Sequence, residues 1–553
     1  EKRLQRPSFV RQKKRWLSVI KSKKNLLRIT RWNPPLKQKK MAQNLFNSIQ
    51  LNKPKKNVFD LTHDVKLSTN MGQLTPILTL ECVPGDKFDL SCESLIRFAP
   101  MIAPVMHRMD VTMHYFFVPN RILWDNWEKF ITEHNSAYVS PYIPSNVFLA
   151  SNQPTFPTSA RTADYLGVPP PPVGATTTQV SAFPFAAYSA IYNEYYRDQN
   201  LQAPVDYKLK DGDQYVSAPS DINRLTTLRN RAWEHDYFTS SLPFAQKGAA
   251  VDIPIGTIDS DVAVTWNSLE NGNTAVTYDG TNSTTIGSTP GLNTVGTPEM
   301  IAKTGDLGIE ATTINDLRRA FRLQEWLEKN ARGGTRYIEN ILTHFGVRSS
   351  DKRLQRPEYI TGVKSPVVVS EVLNTTGQDG GLPQGNMAGH GISVTSGKSG
   401  SYYCEEHGYI IGIMSVMPKT AYQQGIPRTF LKKDSLDYFW PTFANIGEQE
   451  VAKQELYAYT PTGQDTFGYV PRYAEYKYMP SRVAGEFRTS LNYWHLGRIF
   501  ATEPSLNSTF IECDPTKRIF AVEDPATDVL YCHVLNKIKA VRPMPKYGTP
   551  MGI

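Results

Sequence analysis

One stretch of the chain departs from everything around it. Between Thr312 and Pro357 the sequence reads TTINDLRRAFRLQEWLEKNARGGTRYIENILTHFGVRSSDKRLQRP, whereas the flanking text reads as short strands joined by long connections. Leu317, Ala320, Phe321, Leu323 and Leu327 recur mostly at three- and four-residue spacing, which places them on one stripe of an α-helix. Thr313 and Asp316 have the spacing of a capping box, and Gly333-Gly334 supplies residues that accept a left-handed stop. Tyr337, Ile338, Ile341, Leu342 and Phe345 predict a second helix ending at Gly346. The pattern therefore predicts a helix hairpin over 312–346 with one apolar seam, docked on a sheet or on a neighbouring subunit. If that seam is buried, Phe321→Ala or Ile341→Ala should each cost roughly 2–5 kcal/mol. This is a structural element, not a catalytic motif.

The net charge of +9 becomes informative once it is located. Residues 1–40 hold 15 Lys or Arg against Glu1 alone, so residues 41–553 carry −5. The first forty residues form a basic segment, either a disordered arm that neutralises phosphates or text that is not translated. Position 1 is Glu and Met41 opens a segment of different composition, so Met41 is the expected start and 41–553 the expected single domain. KRLQRP occurs at Lys2–Pro7 and again at Lys352–Pro357, and the sequence offers no physical reason for it. No run of about 18 apolar residues predicts a membrane span, and the N-terminus has no secretory pattern. Five cysteines, few and odd in number, fit a reducing compartment with buried thiols.

The remaining text is mainly β. Ile77–Val83 is a short apolar run closed by Pro84-Gly85. Asp110–Val118 sets Val111, Met113, Tyr115 and Phe117 on one face of a half-buried strand, and Asn120 then caps a short helix through ILWDNWEKF. Ser151–Val180 is a long connection stiffened by Pro169–Pro172. Tyr188, Ile191, Tyr192 and Tyr195 predict a short helix over Phe185–Tyr196. Gly248–Ala302 has six acids and no Lys or Arg, the composition of an insertion on the solvent side. Gly377–Ser401 reads as a Gly/Ser-rich loop and Tyr409–Met417 as a buried strand, with further strands at Phe467–Tyr478 and Asp528–Val534. Many short strands with long inserts make a β-sandwich.

Chemistry-bearing patterns are weak. Cys404-Glu-Glu-His407 has no second ligand pair for a metal, and Asp211-Gly-Asp213 lacks the later ligands of a calcium loop and reads as a turn. No phosphate-binding glycine loop, dinucleotide fingerprint or HExxH is present, so no catalytic, cofactor or metal residues are assigned. His107 and His114 read as packed or subunit-facing histidines. Arg318, Arg319, Arg322, Arg332 and Arg336, with Trp326, admit two readings: a solvated face partnered by Glu325 and Glu328, or a subunit interface. Arg488, Tyr493, Trp494 and Arg498 mix rings and bases as a single-strand platform does, which makes them a candidate internal DNA contact.

A family resemblance covers nearly all of residues 44–550. Asn44–Ser68 (NLFNSIQLNKPKKNVFDLTHDVKLS), Val105–Phe130, Tyr192–Leu201, Arg231–Gly248, the helix hairpin and Arg542–Pro550 together resemble the major capsid proteins of the Microviridae, small single-stranded DNA phages, in their gokushovirus branch. The first forty residues are the departure. The resemblance implies a viral jelly-roll β-sandwich with long loops and a few short helices. It also implies a structural subunit that closes into a T=1 icosahedral shell around single-stranded DNA, found in the virion and, during assembly, in the host cytoplasm. Implied partners are further copies of the chain, a small basic DNA-binding protein, a minor vertex or pilot protein and a host surface receptor. Gly248–Ala302 is the candidate for the outermost part of the surface insertion found in this branch. The competing reading is a β-sandwich lectin or polysaccharide-acting enzyme, which would need paired carboxylates in a cleft. A third is a nucleic-acid-binding protein that works through residues 1–40.

Overall fold

Along Lys87–Phe98 every second residue is buried, Phe88, Leu90, Cys92, Ser94, Ile96 and Phe98, and this alternation commits the strand to one face of a sheet. The computed structural model describes residues 55–547, except 134–136, 149–157, 173–175, 216–218, 376–384, 398, 460–464, 523 and 525; of 250–313 it describes only 251, 265–268 and 272–275. The chain divides into units 1–55 and 56–553, and the fold below is that of the second.

The sandwich strands are β1 (Asn57–Asp60), β2 (His63–Thr69), β3 (Thr75–Cys82), β4 (Lys87–Phe98), β5 (Met109–Pro119), β6 (Glu358–Pro366), β7 (Val368–Leu373), β8 (Met387–Ser396), β9 (Gly400–Tyr403), β10 (Gly408–Pro418) and β11 (Leu530–Arg542). One sheet runs β1-β11-β4-β8-β7, with β2 also on β11 and β9 also on β4; the other runs β6-β5-β10-β3. All these pairings are antiparallel. Their nesting defines the fold. β2 pairs with β11, β3 with β10, β4 with β8, and β5 with β6 at the centre, so the chain is one long hairpin rolled into two sheets. That is a jelly roll. Met113, Phe117, Phe88, Ile96, Ile410 and Val534 fill the core between the sheets.

β5 corrects the expected half-buried strand. Its inward residues are Val111, Met113, Tyr115 and Phe117, as the alternation required, but Phe116 and Val118 on the opposite face are buried as well. With Ile411 and Ile413 of β10 they pack under helix α1 (Phe183–Ile191), whose Tyr188 hydroxyl donates to the Leu74 carbonyl at 2.9 Å. A π-turn at Tyr192–Tyr196 continues α1 over the stretch predicted as helical. Asn120 lies inside a short helix, Asn120–Leu123, and Pro119 stands at its cap.

The predicted loop at 377–401 is also corrected, because it contains β8. The inward face of β8 is Gly389, Gly391, Ser393 and Thr395, since Phe98, Met101 and Ala103 already occupy the space: a β-carbon on Gly391 would lie 2.7 Å from Met101. Phe467–Tyr478 holds a strand only at Thr466–Pro471 and then turns into Ala474–Lys477. Asp528–Val534 belongs to the longer β11, and Tyr409–Met417 lies within β10. The connection 151–180 contains a helix, Thr158–Leu166, that periodicity did not reveal. Within 248–302, apart from 248, 249 and 251, only the paired strands Thr265–Ser268 and Gly272–Ala275 are described, so the reading of that segment as a surface insertion lies largely outside the described residues.

Two long insertions leave opposite ends of the roll. Gly408 of β10 pairs with Pro119 of β5 and Pro418 with Met109, so the β5–β6 insertion (120–357) starts where β10 begins. The β10–β11 insertion (419–529) starts at the other end. They meet because the first runs the length of the outer face of the β3-containing sheet: Leu242 bridges Tyr469, and the Tyr237 hydroxyl donates to Glu455 at 2.8 Å.

Candidate functional site

The helix hairpin forms as α2 (Ile314–Gly333) and α3 (Tyr337–Phe345), with Gly334 at φ +102° and Gly346 at φ +68° ending the helices as expected. Thr313 lies outside the described residues. The apolar seam is not what joins the helices, and this corrects the buried-seam reading. The join is polar: Asn340 donates to Asn330 Oδ1 at 2.9 Å, His344 Nε2 lies 2.6 Å from the same oxygen, and Thr343 donates to the Gly333 carbonyl. Phe321 is 62 % exposed, Phe345 76 % and Trp326 50 %, with Leu323, Tyr337 and Leu342 uncovered beside them.

Arginines fix this hairpin to the body. The Arg336 guanidinium donates to the carbonyls of Asn193 (2.8 Å) and Arg197 (3.0 Å), and Gln199 accepts from the backbone N–H groups of Thr335 and Arg336. Arg332 pairs with Glu448 across the insertions; burial lowers its pKa to about 10, which leaves it charged at neutral pH. Arg322 reaches Glu325 one turn on, while Arg318 and Arg319 are exposed. The second KRLQRP has a clear part in this anchoring. Arg356 is sandwiched by Asp351, Glu194 and the Tyr195 ring, 4.7 Å from its centroid, and Gln355 turns at φ +55°. The first KRLQRP lies outside the described residues.

A second uncovered face lies on the β10–β11 insertion, where 3₁₀ turns at Arg428–Phe430, Ser435–Asp437 and Pro441–Phe443 present Phe430, Tyr438, Phe439 and Trp440 to solvent. Lys432 holds it. Its side chain is buried, donates to the Tyr476 hydroxyl at 2.7 Å, lies 3.5 Å from Glu475 and sits over the Tyr476 ring. Exposed rings on a firmly held backbone are what an interface needs, because little ordering entropy remains to be lost on contact.

The DNA-contact candidates do not form one platform. Arg488 is exposed, and the rings of Tyr493 and Trp494 are tilted by 40° with centroids 6.5 Å apart. Arg498 turns inward, donating to the Phe510 carbonyl at 2.8 Å with Phe510, Phe500 and Trp233 around its guanidinium. His114 is a packed histidine, as read: it shares a hydrogen bond with Tyr196 at 2.8 Å, and burial, aided by Arg231, lowers its pKa to about 4. Asp211 is part of a turn and accepts from Trp124 Nε1 at 2.7 Å. Glu405, Glu406 and His407 go to separate partners, Lys352, Arg121 and the Trp127 ring. All five cysteines are free and buried. Lys364 and Lys419 clasp Asp110 and Glu234 where the insertions meet the roll; burial would raise the Glu234 pKa, but the two ammonium groups hold it at about 2. Among the described residues no group of three His, Cys, Asp or Glu could hold a metal ion, and no helix is long and apolar enough to cross a membrane.

A jelly roll whose insertions end in rigid, uncovered aromatic faces defines a class: the subunit of a viral shell, a structural protein of the virion. The chain belongs to the capsid protein (F protein) family, whose profile matches residues 47–552. It is 33% identical to capsid protein VP1 of Chlamydia phage 1 over 92% of this chain and 98% of that one. It is 34% identical to capsid protein VP1 of Bdellovibrio phage phiMH2K (89% and 94% covered) and 30% identical to capsid protein VP1 of Spiroplasma virus 4 (89% and 94%). All three relatives are gokushoviruses.

Proposed function

We propose that copies of this chain close into a small T=1 icosahedral shell around single-stranded DNA, joined through the outer face of α2–α3 and the aromatic tip of the β10–β11 insertion. One observation carries this: the hairpin is pinned to the body by Arg332 and Arg336 while its largest apolar side chains, Phe321, Trp326 and Phe345, stay half or more exposed. Arg318, Arg319, Arg322 and Trp326 lie on the exposed part of the hairpin, where they can pair with a neighbouring copy. Since residues 41–553 carry −5, genome condensation needs a separate small basic protein. A minor vertex or pilot protein completes the particle, the 248–302 insertion meets a host surface receptor, and assembly takes place in the host cytoplasm. Light scattering on the purified full-length chain, followed by nuclease digestion, tests the reading. Shell-sized particles are expected, protecting added single-stranded DNA from the nuclease only when a small basic protein is supplied; a stable monomer at all concentrations would contradict it.

A further inference from the structure

A cavity of about 360 Å³ opens between the β4–β5 connection and the 481–495 segment of the β10–β11 insertion. Its charged lining is of one sign. Arg108, Lys419 and Arg482 line it with His107, His495 and Phe487, and no carboxylate among the described residues does. Asp110 and Glu234 meet Lys419 but are not part of the wall, and Arg108 and Arg482 have no ion-pair partner among the described residues. The walls are fixed by the backbone. His107 Nε2 lies 2.6 Å from the Lys419 carbonyl, the Lys419 N–H donates to the Arg108 carbonyl at 2.9 Å, and His495 Nε2 lies 2.7 Å from the Phe487 carbonyl.

His107 reports the local field. Burial lowers its pKa to about 4, and the guanidinium groups of Arg518 and Arg108 add to the effect. Unpaired guanidinium groups facing a cavity favour an anion, and their planar forks match phosphate oxygens. The space exceeds what one carboxylate side chain fills and falls within the ~300–1,000 Å³ of small-ligand sites. Phe487 adds an aromatic surface against which a base can stack. We propose that this cavity seats one nucleotide of single-stranded DNA, its phosphodiester held by Arg108 and Arg482 and its base against Phe487. The proposal rests on the reading of the chain as a DNA-enclosing shell subunit. It adds a specific contact, not bulk neutralisation.

The test uses the full-length chain and a ten-residue oligothymidylate carrying 5-iododeoxyuridine, cross-linked by ultraviolet light and mapped by peptide mass spectrometry. Cross-links at Phe487 are expected. They should fall at least tenfold in Arg108→Gln/Arg482→Gln, with the log K against log salt slope shallower by about 0.7, as for one phosphate of a single strand. Lys210→Gln/Arg353→Gln, which removes equal charge elsewhere, should leave them unchanged. Millimolar inorganic phosphate should compete only weakly; full competition by it would mean a free phosphate site and overturn the nucleotide assignment. Absence of Phe487 cross-links in preparations that still form particles overturns the site and leaves the shell reading standing. Lower particle yield in Arg108→Gln/Arg482→Gln without any cross-link in the parent chain would assign the cavity to an acidic side chain of a neighbouring copy instead. Failure of the parent chain to form particles would count against the shell reading, and with it the proposal.

Discussion

Replacing Phe321 and Phe345 together by alanine should separate folding from assembly. Phe321 is 62 % exposed and Phe345 76 % exposed, so the single chain has covered only about a third and a quarter of the two rings. Fully burying a phenylalanine is worth about 1.5–3 kcal/mol. The folded chain should therefore lose less than about 1 kcal/mol for each ring. The remaining area becomes available only when a neighbour covers it, roughly 1–2 kcal/mol for each ring and about 2–4 kcal/mol for the pair. That is about 30- to 700-fold in the association constant of each contact. Urea unfolding of unassembled chain gives the first quantity, and the critical concentration for particle formation by sedimentation gives the second. A urea loss of about 3–5 kcal/mol per ring, as for a core phenylalanine, would show that the face is packed within the chain. An unchanged critical concentration would show that no neighbour covers it.

Three further outcomes are expected. His107 and His114 are held near pKa 4, below their ordinary value of 6.5, so their stabilising contribution is complete above pH 6.5 and is lost as pH falls toward 4. His114→Gln keeps a partner for Tyr196 but removes one titration, so its unfolding free energy in urea should drop less than that of the parent between pH 7 and 4, by on the order of 2–3 kcal/mol; parallel curves would contradict this. Gly72 sits at φ +83°, with its β-carbon position 2.0 Å from the Cys513 carbonyl oxygen, so Gly72→Ala should cost more than about 2 kcal/mol in urea, and a loss of a few tenths would refute the close approach. Chain beginning at Met41 should bind single-stranded DNA weakly at physiological salt, with a shallow salt slope in filter binding; tight binding with a steep slope and no basic partner would refute the charge argument.

Where the sequence was legible, local pattern and tertiary demand coincided. β10 is a continuous apolar run because both its faces are covered, and the two glycines end their helices because each takes a positive φ. β8 was hidden for the opposite reason: its inward face must be Gly, Ser and Thr to clear Phe98 and Met101, so the strand looks like a loop. The second burial of β5 depends on residues some seventy positions away at α1, which no local alternation encodes. The hairpin's periodicity was read correctly as two helices sharing an apolar face, but spacing shows only that a face is apolar and not what covers it, and within the chain the helices join through Asn330, Asn340 and His344. Among the candidate site residues, Arg332, Arg336 and Arg498 are charged in the sequence and committed to partners within the chain in the fold. Arg108 and Arg482, far apart in sequence, come together only because the β4–β5 connection meets the second insertion.

A side-chain-resolution cryo-electron microscopy reconstruction of the assembled particle would show what lies over α2–α3. Phe321, Trp326 and Phe345 are expected to be buried under a symmetry-related copy, with Arg318 and Arg319 paired across the contact. A particle in which those rings face solvent, with its subunits joined elsewhere, would contradict the assignment of the hairpin as the shell contact.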